Sequence, residues 1–318
     1  MDKDELQLDK DELQEKLERK IKTLNKTVWE NKCSKSVLDK WTQNFSADEA
    51  VSSLYLLSQF MYFANTEIRY LLRSLFRDKY KYPIVQEVRE GNGDTTDVEL
   101  IERMYNEELR KTRFLGMGDS SESGALLLYY FRQENRLGKH FFINKNQLFT
   151  KNKDSGEIEF SEPHVTRYVF IDDFVGSGVQ AASYSKSIIK QIKNISDKVE
   201  ISYLPIFGTK EGLNAVRAVF DKVESIYEVD ETYKCFSENS RYKPTDEYSH
   251  IINWPEVKSM CEHYGAGLVG SVDSLGFSSC QLLLGFSHNT PDNTLPIFWY
   301  DDPKKGPSWS PIFKRYPK

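Results

Sequence analysis

The sequence predicts an α/β protein: a mainly parallel sheet with helices on its faces, preceded by a helical N-terminal part and closed by a C-terminal cap. Three observations predict it. From about residue 95 onward, short apolar runs alternate with amphipathic stretches, the pattern of strands linked by helical crossovers. The run "YVFI" at 168–171 is apolar at every position, so it needs burial on both faces, as strands of parallel sheets do. The tail from about residue 240 reads as irregular, and Pro291, Pro296, Pro303, Pro307 and Pro311 forbid a long helix there.

The elements follow in order. "DKDELQ" occurs at 2–7 and again at 9–14, and Leu13, Leu17, Ile21, Leu24 and Val28 trace one face of an amphipathic helix. That face packs on its own domain or docks a partner or a second copy. Ser46 and Glu49 have capping-box spacing, and the aromatic-rich stretch after them continues at helical spacing for more than thirty positions, as two helices. Pro83 then helps to end the helical region, and "REGNGDTTD" reads as a loop. Such aromatic richness reads as core or interface rather than a base-stacking platform, because interleaved basic residues are missing. Next come a strand in "TRFLGMG", a helix in "SESGALLLYYFRQENR", strands in "KHFFINK" and "RYVFIDD", and a helix in "GVQAASYSKSIIKQIKN". A strand in "VEISYLPIFGT", a helix in "KEGLNAVRAVFDKV" and a strand in "ESIYEVDE" complete the alternation. These divisions give a helical extension over 1–40, a helical subdomain over 41–90, an α/β core over 91–235 and a cap over 236–318.

Composition bounds the function. A chain of 318 residues that is 39% hydrophobic is long enough for a substantial core. A net charge of −5 argues against broad electrostatic adsorption to nucleic acid or anionic membranes. The longest apolar run, "ALLLYYF" at 125–131, is far too short to span a bilayer, and "MDKDELQ" is no signal region, so a cytoplasmic protein is expected. Cys33, Cys235, Cys261 and Cys280 form no C-x-x-C and read as reduced, packed thiols. Cys261 and His263, with Cys280 and His288 further on, leave a metal site open.

The stretch "YVFIDDFVGSGVQ" carries the chemistry. Asp172 and Asp173 stand where a buried strand emerges; two adjacent carboxylates repel each other and want cations, hydroxyl donors or water. Gly176, Ser177 and Gly178, followed by the helix from Val179, offer a backbone nest and a helix N-terminus, a combination suited to an anion such as phosphate. Phosphate on the turn and sugar hydroxyls or Mg²⁺ on the acids describe a pocket for a 5-phosphorylated ribose. The alternative is a plain glycine turn with solvated aspartates. The loop lacks the lysine of a P-loop and the third glycine of a dinucleotide fingerprint.

"VFIDDFVGSGVQ" resembles the signature with which type I phosphoribosyltransferases bind 5-phosphoribosyl 1-pyrophosphate (PRPP). The resemblance implies that fold, ribose handling by Asp172 and Asp173 directly or through Mg²⁺, and a 5-phosphate loop of Gly176, Ser177, Gly178, Val179 and Gln180. Gln180 stands where a hydroxyl residue is usual, and Gly176 where hypoxanthine-type members carry an aspartate. The resemblance also makes Gly118, Ser120, Ser121, Ser123 and Gly124 a pyrophosphate loop, with a Ser-rich helix cap as the alternative, and places Lys151 or Lys153 on a closing loop where either would neutralise departing pyrophosphate. The tail, "LLLGFSHNTPDNTLPIFW" followed by Trp309, Pro311, Phe313 and Arg315, resembles the PRTase-CE proteins of bacterial conflict and phage-defence systems. It implies an acceptor side formed by Asn289, Thr290, Asn293, Trp299 and Arg315. The implied activity is a glycosyltransferase-class phosphoribosyl transfer, or cleavage at ribose C1, with a base, a nucleotide or a nucleic acid as acceptor and no membrane partner. A non-catalytic PRPP or nucleotide sensor, and a structural subunit of a defence complex, are the alternatives.

Overall fold

The computed structural model describes residues 3–118, 123–301 and 308–316. In chain order the helices and strands are α1 (Lys3–Thr27), α2 (Lys35–Thr42), α3 (Ala50–Leu57), β1 (Met61–Phe63), α4 (Asn65–Ser74), α5 (Tyr82–Gly91), α6 (Val98–Arg110), β2 (Thr112–Gly116) and α7 (Ser123–Glu134). They continue with β3 (Phe149–Lys151), β4 (Ile158–Phe160), β5 (Arg167–Val175), α8 (Val179–Ile195), β6 (Glu200–Thr209), α9 (Lys210–Arg217), β7 (Lys222–Val223), β8 (Tyr227–Val229), α10 (Trp254–Val269) and β9 (Leu284–Phe286). They fall into two compact units, Ile68–Val229 and Met1–Glu67 with Asp230–Lys318. The division differs from the four sequence segments because the segment up to Glu67 and the segment from Asp230 share one core.

The unit Ile68–Val229 is the expected α/β body. Its main sheet runs β2-β5-β6-β7, with β8 also on β6, and every pairing is parallel. Burial explains the order: β5 and β6, the two central strands, carry the longest buried runs, whereas β7 has only two residues. Tyr168, Phe170, Ile192, Ile201, Tyr203 and Val216 belong to one apolar cluster of the unit. β2 ends with Gly116 opposite Ile171, and the parallel β5 runs on to Val175. Their following loops therefore leave the same carboxyl edge, where parallel sheets bind ligands.

The other unit joins the N-terminal helices to the tail. Leu13, Leu17 and Ile21 of α1 are buried in a cluster with Trp41, Leu57, Phe298 and Phe313, so the apolar face of α1 is covered by its own unit. Three residues of β1 pair in parallel with β9. Trp309 packs edge-on against Phe45, and Phe313 stacks on Phe60 and Tyr62.

Several local expectations change. The helical stretch from Ser46 is interrupted by β1, and α3 starts at Ala50 although Glu49 does accept from the Ser46 N–H. Pro83 does not end the helical region: it lies in the first turn of α5, after a wide π-turn over Leu75–Lys81, where a missing N–H costs nothing. "KHFFINK" forms a short 3₁₀ turn and reaches the sheet through one bridge, Phe142 to Phe114. The irregular tail holds the sixteen-residue α10, which Pro255 opens from its first turn. Among the described residues no helix is long and apolar enough to cross a membrane.

Candidate functional site

Alternation along a strand places successive side chains on opposite faces, and this separates the two acids. Asp172 is in step with Tyr168 and Phe170, which with Val175 are the β5 residues that join Tyr203 in the apolar cluster, and it is buried at 9% exposure. Its Oδ2 accepts from the Tyr203 hydroxyl at 2.6 Å, and its Oδ1 accepts from the Asp173 N–H at 2.9 Å. Burial, then the neighbouring Asp173, push the Asp172 carboxyl well above the usual aspartate range, since a charge in a low-dielectric setting beside a like charge is disfavoured. Burial also raises the Tyr203 phenol, followed by Asp172 itself, so the phenol keeps its proton and donates it. Asp173 is half-buried at the strand end, and its Oδ1 accepts from the Phe174 N–H at 2.8 Å.

Three residues then connect β5 to α8. Gly178 is the N-cap, with a left-handed φ of 75° that suits glycine. A Cβ there would stand 2.7 Å from the Ala215 Cβ and 2.8 Å from the Gly212 carbonyl oxygen, and one on Gly212 would stand 2.0 Å from the Gly176 carbonyl oxygen. The turn is thus seated against the start of α9. Thr209, the N-cap of α9, donates through Oγ1 to the Gly176 carbonyl at 2.5 Å and accepts from the Gly212 N–H at 2.9 Å. Among the described residues, the N–H groups of Gly176, Ser177 and Gly178 meet no acceptor. These amides lie ahead of a seventeen-residue helix, whose N-terminal end carries partial positive charge. Val179 is the first helical residue and is exposed; the side chain of Gln180 lies outside the described residues.

The loop after β2 is pinned at both ends. Gly116 and Gly124 approach so closely that a Cβ on Gly124 would stand 2.3 Å from the Met117 carbonyl oxygen, and Gly118 has φ 87°. Ser123 opens α7, while Ser120 and Ser121 lie outside the described residues. A cleft of about 540 Å³ opens here, lined among others by Gly116, Gly118, Leu128, Ile143, Asn144 and Lys145. Lys151 and Lys153 stand elsewhere, exposed on the β3–β4 hairpin, whose turn is organised by Asn152 accepting from the N–H groups of Asp154 and Ser155.

The residues expected on an acceptor side belong to the other unit, where their polar groups serve its framework. Arg315 donates to the Thr290 carbonyl at 2.7 Å and to Asp292 at 2.9 Å, with its guanidinium over the Trp299 ring. Asn289 accepts from the N–H groups of Thr290 and Tyr316, Asn293 donates to the Phe277 carbonyl, Trp299 donates to the Thr294 carbonyl, and the Thr290 hydroxyl donates to the Phe313 carbonyl. Cys261 is fully buried with its thiol pushed up by burial. Among the described residues, no group of three or more His, Cys, Asp or Glu could hold a metal. A Mg²⁺ caged by protein alone therefore does not fit, but one shared between Asp173 and oxygens of a phosphorylated ligand does, because Mg²⁺ is commonly held by one or two carboxylates plus substrate phosphates.

Tyr203, Thr209 and Gly212 were missed in the sequence. Thr209 and Gly212 carried a faint signal, a threonine ahead of a helix; nothing in the linear order marked Tyr203 as the partner of Asp172.

No curated protein matches the chain. Among solved structures, orotate phosphoribosyltransferase from Aeropyrum pernix is similar at 14% identity, over 49% of this chain and 76% of that one, with a TM-score of 0.24. The AQ2163 protein from Aquifex aeolicus is similar at 11% identity, over 62% and 83%, with a TM-score of 0.26. At such TM-scores neither likeness bears on the site. The sequence model of the PRTase-CE family matches residues 38–315, most of the chain, and the chain belongs to that family.

Proposed function

We propose that the chain binds PRPP, or a nucleotide carrying the same 5-phosphoribosyl group, together with Mg²⁺, and transfers or cleaves at ribose C1. One observation carries the reading: the open amides of Gly176, Ser177 and Gly178 lie ahead of α8 and just beyond Asp173, at the carboxyl edge of a parallel sheet. Fixed amides hold a phosphate without reorganisation. Asp173 receives ribose hydroxyls or the cation. Mg²⁺ would supply charge neutralisation for a departing pyrophosphate. The rest of the protein's work is positional: the seat formed by Thr209 and Gly212 fixes the turn, so the phosphate anchors the sugar in one orientation. Because PRPP brings its own leaving group, no protein nucleophile is required. The loop after β2, with Gly118, Ser123 and Gly124, is the pyrophosphate side of this proposal. A cytoplasmic effector role in anti-phage defence belongs to the same proposal and is supported by family membership alone.

A second reading is a sensor that binds without turnover. Gln180 in place of the usual hydroxyl residue, and lysines held on a hairpin of its own, favour it. Isotope-labelled PRPP with Mg²⁺ and a nucleotide or RNA extract separates the readings. Pyrophosphate release identifies an enzyme, saturable binding without release identifies a sensor and overturns the transfer, and the absence of both release and binding overturns both readings and leaves a structural subunit.

A further inference from the structure

We infer that the outer faces of α4, from Ile68 on, and α7 form a binding surface for single-stranded nucleic acid, with arginines for its phosphates and exposed tyrosines for its bases. The inference does not rest on the reading above, since this surface lies outside the turn after β5 and needs no PRPP. It corrects one expectation. Aromatics without interleaved cations hold from Ser46 to Phe63, but "IRYLLRSLF" at 68–76 sets Arg69 and Arg73 among Tyr70 and Phe76. Ile68 and Leu72 are fully buried on the inner face of α4, whereas Tyr70 is 60% exposed. In α7, Leu127 and Phe131 are fully buried and Tyr129 is 51% exposed.

Contacts between the two helices join these outer faces into one surface. The Arg69 guanidinium lies 4.0 Å over the Tyr130 ring and donates to Gln133 at 3.3 Å and Glu134 at 2.7 Å. Further along, the Asn135 side chain donates to the Leu72 carbonyl at 3.4 Å. Arg73 follows Arg69 by four positions and so stands beside it. Tyr129, Arg132 and Arg136, at i, i+3 and i+7, share the crest of α7, where the Arg132 guanidinium lies 5.7 Å from the Tyr129 ring centre. Over 68–76 and 123–136 the charged residues are these four arginines and Glu134, on a chain of net charge −5. Glu134 is taken by Arg69. Among the described residues, Arg73 and Arg136 have no carboxylate partner and Arg132 meets only the Tyr129 ring. Free arginines beside exposed aromatic rings suit a strand whose phosphates lie in reach and whose bases are open to stacking. An acidic protein would satisfy the arginines and leave the tyrosines without a purpose.

The test uses the full chain and labelled twenty-nucleotide oligomers of thymidine and of uridine, read by fluorescence anisotropy between about 50 and 200 mM salt. Both single strands are expected to bind, the tighter naming the sugar, and a duplex of the same length at least about tenfold more weakly, because its base faces are covered. At about −0.7 for each phosphate contact, the three free arginines give a slope of log K against log salt of about −2, and Arg73→Gln with Arg136→Gln should bring it to about −0.7. Tyr70→Ala with Tyr129→Ala should weaken binding by more than about tenfold while the slope stays in place. All four positions lie on the surface, and thermal melts check that the variants fold. No binding by the wild type at the lowest salt overturns the inference, as does binding that the tyrosine pair does not weaken. Polyglutamate bound as tightly as the oligomers would assign the face to an acidic protein. A dimer that the tyrosine pair dissolves in sedimentation, with no oligomer bound, would assign it to a second copy, and either result overturns the inference.

Discussion

The β5–α8 turn and the C-terminal tail are both strings of small and polar residues, yet they use their hydrogen-bonding groups in opposite ways. In the tail, Arg315, Asn289, Asn293 and Trp299 spend donors and acceptors on their own unit, on the carbonyls of Thr290, Phe277 and Thr294 and on the N–H groups of Thr290 and Tyr316. In the turn, the amides of Gly176, Ser177 and Gly178 find no acceptor among the described residues, and the bonds that hold it go through a carbonyl, to Thr209. A framework satisfies its polar groups internally; a binding site leaves some of them for a ligand. The contrast teaches that residue type does not distinguish the two, whereas the destination of each hydrogen bond does.

The contrast breaks most visibly at Gly178. Gly178→Ala forces an alanine into the left-handed region, at roughly 1–2 kcal/mol, and drives its Cβ toward the Gly212 carbonyl. We expect PRPP affinity to fall below detection by calorimetry, with a lowered melting temperature; wild-type affinity would mean the turn is not the anchor. Arg315→Ala should do the reverse, lowering stability by about 1–3 kcal/mol by leaving the buried Thr290 side of its network unpaired, while PRPP affinity stays unchanged. A variant as stable as wild type that no longer uses an acceptor would return Arg315 to the acceptor side.

A smaller effect sharpens the comparison within the site. Asp172 has a raised folded pKa, so it favours the folded state at low pH. That contribution is complete below the ordinary aspartate value of about 4 and is lost as pH rises through the raised one. Asp172→Asn lacks the titration, and its melting temperature should therefore gain on that of wild type as pH rises from about 4 to 8. A constant difference across that window would show that Asp172 does not titrate abnormally. The smallest effect is expected at the hairpin: Lys151→Ala with Lys153→Ala should change stability by less than about 0.5 kcal/mol, as exposed substitutions do. If these lysines close on pyrophosphate, labelled-pyrophosphate release slows while PRPP binding holds; unchanged release removes them from the mechanism.

Much of the α/β body was legible because continuous apolar runs and amphipathic spacing report burial directly. The strands β2, β5 and β6 and the helices α7, α8 and α9 stand where the periodicity placed them. The strand β1 and the helix α10 were not legible: three residues pairing with a strand more than two hundred positions away leave no local period, and the expectation that the prolines keep a long helix out of the tail fails at 254–269, because all five lie beyond residue 290. The turn itself was legible from "DDFVGSG", since glycines and acids there answer to local geometry. Its support was not. The reach of Tyr203 to Asp172, and the fit of Gly212 under Gly176, depend on strand register and on the crossing of α8 with α9, and these are tertiary facts.

The most direct test follows the backbone amide resonances of Ser177 and Gly178 in the full chain as ribose 5-phosphate, and then PRPP with Mg²⁺, is added. Both amides should shift in a saturable way with either ligand, and more tightly with PRPP, because each would donate to the 5-phosphate. Saturable binding that leaves these two amides unmoved, or no binding at all, would contradict the account.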